Sequence, residues 1–232
     1  MHILLTRPLE DCYDMILKFK SLGHEISHLP LIKIDSINHE VINFKEFNGI
    51  IFTSTNAIKY LNINNLDKKK ICFCVGSATE KKARSSGFQN VISADGNVEN
   101  LKELILRNYN STNGKLLYVS GDIVTKNLDK ELISMGYNIK RVINYTSKHL
   151  KDINTDFIEK LKLKMPEIIY VYSQNSAISL LKIIKEHNIQ NLWMDTNLMC
   201  ISEKTSSILN EIKWKKIFLF NPGEEEFLLY KI

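Results

Sequence analysis

Gly49-Ile50-Ile51-Phe52-Thr53-Ser54-Thr55-Asn56-Ala57-Ile58-Lys59-Tyr60-Leu61 is the stretch that decides the fold. The apolar run Ile50–Phe52 reads as a buried strand. Thr53-Ser54-Thr55 is a hydroxyl-rich break, and an amphipathic helix starts at Asn56. Such a corner, where a strand ends and a helix begins, is where an open α/β sheet offers backbone N–H groups to a ligand. The same grammar returns at Ile168–Leu181, in Ile-Ile-Tyr-Val-Tyr-Ser-Gln-Asn-Ser-Ala-Ile-Ser-Leu-Leu. Two copies of one corner predict two similar half-molecules.

Working outward, apolar runs and amphipathic segments alternate along the whole chain. Strands are expected at Ile3–Thr6, Ile26–Leu31, Gly49–Phe52, Ile71–Val75, Val91–Ser93, Leu116–Val119, Ile139–Tyr145, Ile168–Tyr172, Leu198–Ile201 and Lys216–Phe220. Helical spacing of apolar residues fills the intervals, for example Cys12, Met15, Ile16, Phe19 and Leu22. Gly23, Gly87 and Gly136 are expected helix ends. Ser77 with Glu80 has capping-box spacing, which predicts a helix start at Ser77. Pro30 places its strand at a sheet edge, Pro222-Gly223 breaks the chain, and Glu224–Tyr230 is a final helical turn or two. Strict alternation of strand and helix predicts an α/β fold with parallel sheets covered on both faces.

Composition narrows the function. The chain has 232 residues, enough for one large domain or two small ones at roughly 100–150 residues each. No apolar run approaches the roughly 20 residues of a membrane span. The N-terminus Met1–Pro8 runs straight into charge, so it reads as the first strand of a cytoplasmic protein. Cys12, Cys72, Cys74 and Cys200 match no zinc spacing and read as buried, reduced thiols, with Cys72 and Cys74 on one strand face. His2, His24, His28, His39, His149 and His187 have no tight metal spacing and read as surface residues. From Ser36 to Tyr145 there are 15 Lys/Arg and 10 Asp/Glu, which is the whole surplus of the +5 net charge. That places an anionic partner near the middle segment. The excess is too thin for the basic stripe of a nucleic-acid binder.

The polar corners carry the candidate site. Thr53, Ser54, Ser77, Thr79, Ser173, Ser202 and Thr205 all fall where a helix begins, so each is expected to cap a helix. The same corners can face an anionic ligand, together with Thr55, Asn56, Gln174 and Asn175, and with Ser120-Gly121-Asp122 after another strand. Nucleotide cradles G-x-G-x-x-G and G-x-x-x-x-G-K-[ST] are absent, as are G-x-S-x-G and H-E-x-x-H. An enzyme built on these residues works without metal, nucleophile triad or cofactor. From the residues alone, a non-enzymatic two-domain binder of a small anion stays open beside an enzyme.

Seven signals in order resemble one family: L-L-T-R-P, I-F-T-S-x-N-A, V-G-x-x-T, a G-D-x-x-x-x-x-L-x-x-x-L segment ending in G-Y, a strand ending in Tyr145, S-x-x-S-A, and a Thr-bearing helix start. Together, from Ile3 to Phe220, they resemble uroporphyrinogen-III synthases. The resemblance implies two flavodoxin-like doubly wound parallel-sheet domains. One is built from 1–33 plus 149–232, the other is inserted at 35–144, and two strands near Leu31–Asp35 and Val142–Thr146 join them. It implies a site in the cleft between domains and a linear tetrapyrrole substrate, hydroxymethylbilane, which bears eight carboxylates. The substrate loses water and closes into uroporphyrinogen III with ring D inverted. It implies no cofactor, a monomer, and at most a transient contact with the enzyme of the preceding step.

Under that resemblance Tyr145 is the expected catalytic residue. A phenol, with a reference pKa of about 10, is protonated at neutral pH and can supply the proton for a departing hydroxide. Arg7 matches the arginine of the T-R-P signal, and the corner residues match the family's substrate-binding positions. Three positions depart from the pattern. Ser202 stands where glycine is common, Tyr172 where a second T-S pair would begin, and Thr125 where an arginine often follows, with adjacent Lys126 the nearest substitute.

Overall fold

A computed structural model describes residues 1–150, 153–221 and 223–231, with the side chain of Lys231 left out. Pro222, one half of the expected chain break, lies outside the described residues. The chain divides into two compact units: Met1–Lys33 with Lys148–Ile232, and Ile34–Ser147.

In the first unit the strands are β1 (His2–Leu5), β2 (Glu25–His28), β9 (Ile168–Val171), β10 (Asn197–Cys200) and β11 (Lys216–Leu219). The helices are α1 (Leu9–Ser21), α6 (Thr155–Leu163), α7 (Gln174–Glu186), α8 (Glu203–Ser207) and α9 (Glu225–Leu228). The sheet order is β11-β10-β9-β1-β2 and its pairings are parallel. That is the doubly wound 2-1-3-4-5 order of flavodoxin, and it reverses direction between β1 and β9. Pro30 follows β2, which is an edge strand. Alternation sorts the strand residues to two helix-covered faces. Leu4, Ile169, Val171, Leu198 and Cys200 go to one, and Ile3, Leu5, Ile168, Tyr170 and Met199 to the other.

The second unit contains β3 (Ile32–Ser36), shared with the first at its start, then β4 (Gly49–Phe52), β5 (Ile71–Val75), β6 (Asn90–Ala94), β7 (Leu116–Gly121) and β8 (Ile139–His149). Its helices are α2 (Thr55–Lys59), α3 (Ser77–Ser85), α4 (Val98–Asn108) and α5 (Leu128–Ser134). The order is β3-β8-β7-β4-β5-β6. The five strands from β4 onward therefore lie as β8-β7-β4-β5-β6, which is the flavodoxin 2-1-3-4-5 arrangement entered at its third strand, with β7 and β8 in the places of strands 1 and 2. After β4 the chain adds two strands outward on one side before crossing back. The reversal lies between β4 and β7. Ile50, Phe52, Cys72, Cys74, Leu117 and Val119 face one helical layer, while Ile51, Phe73, Leu116 and Tyr118 face the other. The chain passes between units inside β3 and inside β8, at 33–34 and 147–148.

Several local expectations are revised. Strand β7 runs two residues further than expected, so Ser120 and Gly121 are buried strand residues and the corner starts at Asp122. Helix α3 is capped by Gly76, at φ 78°, and Ser77 is its first residue. Gly76 turns the chain there and its carbonyl accepts the first helical bond from the Glu80 N–H at 3.1 Å. The Glu80 carboxylate pairs instead with Arg84 at 2.8 Å. His2 is buried beside Ser27, its Nε2 lying 2.8 Å from the Ser27 Oγ, and is not a surface residue. All four cysteines are free and buried, and Cys72 and Cys74 share a face with their sulfurs 3.7 Å apart. Short 3-10 turns at Phe44–Glu46, Ser111–Asn113 and Gln190–Asp195 have no counterpart in the expected pattern.

Candidate functional site

Open α/β sheets bind ligands at the carboxyl ends of the strands where the order reverses. In the second unit that point is the end of β4 and β7, where Thr53–Asn56 and Ser120–Asp122 lie, with Ser77 and Thr79 one strand further out after β5. Ser54 caps α2: its Oγ accepts from the Asn56 N–H at 3.2 Å. Thr53 is not a cap. Its hydroxyl reaches across to the neighbouring strand and lies 3.3 Å from the Tyr118 hydroxyl. Burial pushes the Tyr118 phenol above its ordinary pKa, against the opposing hydrogen bond to Thr53 and the Arg141 charge. Thr55 and Asn56 form the first turn of α2 and are half-buried.

Tyr145 belongs to the same place. Strands β7 and β8 pair Ser120 with Ile143 and then Gly121 with Tyr145, so Asn144 is an extra residue in β8. A bulge of this kind breaks the inside–outside alternation. Val142, Asn144 and Tyr145 consequently share the face covered by α2. The buried Asn144 side chain donates to the Ala57 carbonyl of α2 at 2.8 Å, and Tyr145 packs against the same core. Asp122 follows directly: its N–H donates to the Tyr145 carbonyl at 3.0 Å, and its carboxylate accepts from the Thr146 hydroxyl at 2.6 Å and the Ile123 N–H at 2.8 Å. Burial raises the Asp122 pKa, but the hydrogen bonds from Thr146 and the amides of Ile123 and Ser147 outweigh it and hold the carboxyl below its usual value.

Ser120 is fully buried, and its hydroxyl donates to the Gly121 carbonyl at 3.0 Å while accepting from the Arg141 Nε at 2.8 Å. Its polar atoms are thus committed inside the strand end. The Arg141 Nη2 also donates to the Gly121 carbonyl at 2.8 Å. Ser77 is exposed at the start of α3, whereas Thr79 is buried in its first turn. Thr125 and Lys126 lie just beyond Asp122. Lys126 forms an ion pair with Glu99, so that cation is already engaged.

In the first unit the reversal lies between β1 and β9, whose C-terminal ends are followed by Arg7 and by Ser173. The Arg7 guanidinium sits 4.7 Å above the Tyr172 ring. Tyr172, the departure from the expected T-S pair, is thereby the platform that holds Arg7. Burial and the Glu225 charge push its phenol upward, against Arg7. Ser173 caps α7, its Oγ accepting from the Ser176 N–H at 3.0 Å, and the two hydroxyls lie 2.9 Å apart. Ser202 caps α8 in the same way, with the Thr205 N–H at 3.3 Å and the Thr205 hydroxyl at 3.0 Å. Ser202 therefore does the work of a cap with a hydroxyl where a glycine would leave it to water. Thr205 is itself buried at the third helical position and is not a cap. Gln174 is exposed and Asn175 half-buried at the head of α7, a 13-residue helix whose first N–H groups have no intrahelical acceptor.

Of the seven hydroxyl residues expected to cap, Ser54, Ser173 and Ser202 do so. Residues that sequence reading passed over are Tyr60, Tyr118, Arg141, Asn144 and Thr146. No sequence signal singled them out, because the pairing of Tyr118 with Arg141 appears only once the β7–β8 register is known. Among the described residues no three His, Cys, Asp or Glu side chains cluster to hold a metal, and no helix is long and apolar enough to cross a membrane.

Comparison with known proteins fits this arrangement. The family model described as "Uroporphyrinogen-III synthase HemD" matches residues 14–219. The chain belongs to the uroporphyrinogen-III synthase family. It is similar to a porphyrin biosynthesis protein HemD of Ruminiclostridium josui, at 24% identity over 88% of this chain and 42% of that protein. It is also similar to the uroporphyrinogen-III synthase of Saccharomyces cerevisiae, at 28% identity over 63% of this chain and 62% of that protein. The chain thus spans about two fifths to three fifths of the curated relatives it matches. Its fold is that of the uroporphyrinogen-III synthetase of Helicobacter pylori, with a TM-score of 0.64 at 18% identity over 100% of this chain and 99% of that one. A mutant uroporphyrinogen III synthase of Thermus thermophilus gives 0.59 at 11% identity, over 100% of this chain and 98% of that one.

Proposed function

We propose that this chain is a uroporphyrinogen-III synthase that dehydrates and cyclises hydroxymethylbilane with inversion of ring D. The observation that carries the reading is the family match across residues 14–219. The topology supports it, because the corners at Arg7 and Ser173 and at Thr53–Asn56 and Asp122 sit at the strand-order reversals of the two sheets, with Ser202 and Ser77 one strand further out. Arg7 and the first-turn amides of α7 in one unit, and Thr53–Asn56 and Ser77 in the other, are the groups assigned to the substrate carboxylates. Asp122, itself an anion engaged by Thr146 and the Ile123 N–H, shapes its corner instead. Ser120, Thr79 and Thr205 are buried, so their part is to shape the corners. The substrate engages both units, as the two-domain reading with pieces 1–33 plus 149–232 and 35–144 requires.

Tyr145 is assigned as the proton donor. The carbon–oxygen bond of the hydroxymethyl group breaks, the phenol proton goes to the departing oxygen, and water leaves. Inversion requires the new carbon–carbon bond to form first at the ring D α carbon already joined to the chain. That older bond then breaks and re-forms at the free α carbon of ring D, whose displaced proton returns to the phenolate. Holding the two ends of a linear chain together supplies much of the rate. The enzyme works as a cytoplasmic monomer on a small molecule, without nucleic acid, and meets the preceding enzyme only in passing. A non-enzymatic anion binder would share the corners but leave the family membership without a purpose.

The test is to supply purified protein with freshly made hydroxymethylbilane and separate the product isomers. Uroporphyrinogen III is expected; the type I isomer alone, which forms without catalysis, would refute the assignment. Tyr145→Phe is expected to keep the fold and slow turnover by roughly ten- to a thousand-fold, the range of general acid catalysis. Unchanged turnover would remove Tyr145 from the chemistry.

A further inference from the structure

The phenol of Tyr145 lies in a slot whose floor is a glycine. A Cβ built on Gly121 would stand 2.7 Å from the Tyr145 Cε2, 2.8 Å from its Cζ and 3.1 Å from its hydroxyl oxygen. Those are the atoms at the acidic end of the ring. Tyr60 also neighbours the ring, with centroids 6.5 Å apart and planes 32° apart, its own hydroxyl tied to the Ile34 carbonyl at 3.1 Å. The Asn144 bulge turns Tyr145 onto Gly121; in unbroken register Gly121 would face Asn144 and the phenol would point to the opposite face. The strand end carrying Gly121 is fixed by Arg141 on the Gly121 carbonyl and by the Asp122 N–H on the Tyr145 carbonyl.

We infer that Gly121 is a positioning residue for the Tyr145 proton donor: it is glycine so that the phenol can lie against the β7 backbone where the bulge aims it. The inference rests on the reading of Tyr145 as the donor. It gives Gly121 a role other than contact with substrate. Gly121 is not among the glycines with a positive φ, so its backbone accepts alanine and only the ring must yield. Restoring an ordinary contact of about 3.5 Å moves the phenol by roughly 1 Å, a displacement of the order that costs about a hundred-fold in rate.

The experiment is a kinetic cycle of Gly121→Ala, Tyr145→Phe and the double variant, with the Tyr145 Cζ resonance followed in protein carrying 13C-labelled tyrosine. That resonance is assigned by its loss in Tyr145→Phe. Gly121→Ala is expected to lower kcat by about ten- to a hundred-fold with KM changed less than about three-fold, and to shift the resonance. Added to Tyr145→Phe it is expected to change kcat by less than about two-fold, because the donor it places is already gone. An undiminished loss in the double variant, an unchanged kcat in the single one, or an unmoved resonance overturns the inference. Full turnover by Tyr145→Phe is a separate result: it sinks the donor reading, while the resonance still decides whether Gly121 sets the ring's place. Should Gly121→Ala melt below the assay temperature, Tyr60→Leu removes the neighbouring ring that packs by Tyr145 and is read through the same cycle.

Discussion

Replacing Arg141 by methionine should loosen the end of β7. The guanidinium donates to the Ser120 hydroxyl and the Gly121 carbonyl, each at 2.8 Å, and more weakly to the Asp122 carbonyl at 3.3 Å. Charge-assisted bonds are worth about 1.5–3 kcal/mol apiece. Arg141 is half-buried, so the lower figure applies, and the two short bonds total about 3 kcal/mol. Part of this survives, because the Ser120 hydroxyl goes on donating to the Gly121 carbonyl at 3.0 Å. Methionine keeps an apolar stem beside Tyr118, over whose ring the guanidinium sits at 5.9 Å. The net loss is about 2–3 kcal/mol, or about 6–9 °C in Tm for a chain of this length. Thermal unfolding followed by circular dichroism measures it, and hydrogen exchange at residues 120–122 localises it. A Tm within about 2 °C of wild type, with exchange at the strand end unchanged, would show that these bonds do not hold β7 in place.

Ser173→Ala removes a cap bond to the Ser176 N–H and is expected to cost about 1 kcal/mol by urea unfolding, whereas Ser77→Ala, which removes no cap, is expected to cost nothing measurable; equal losses would contradict the cap assignment. The Asp122 carboxyl has a folded pKa below its ordinary value, so its hydrogen bonds add stability above the unfolded pKa of about 3.9 and lose it as pH falls through the folded one. Wild type should therefore lose more Tm than Asp122→Asn between pH 6 and pH 3, and parallel curves would discount those bonds.

The fold class was legible because burial on both faces writes each central strand as an apolar run, and Gly49–Phe52, Leu116–Val119 and Ile168–Val171 are such runs. Strand order was not. Whether the chain after β4 winds outward or back depends on crossover direction, which hydrophobic periodicity does not encode. The corners Ser54, Ser173 and Ser202 could be read from hydroxyls set before helical spacing. Ser77 misled because a glycine at positive φ can start a helix without a hydroxyl, and a nearby Ser and Glu then mimic a capping box. Ser120 misled because the apolar run ends two residues before the strand does. The Asn144 bulge leaves no mark in composition: it shows only as the pairing of Gly121 with Tyr145, and it sets the face on which the candidate donor lies.

Titration of the intact protein with a stable linear tetrapyrrole octacarboxylate that cannot cyclise tests most directly whether both polar corners serve one substrate. One molecule bound per chain is expected, with affinity weakened both by Arg7→Ala in the first unit and by Asn56→Ala in the second. Two independent ligands per chain, or an affinity that answers to only one of these variants, would contradict it.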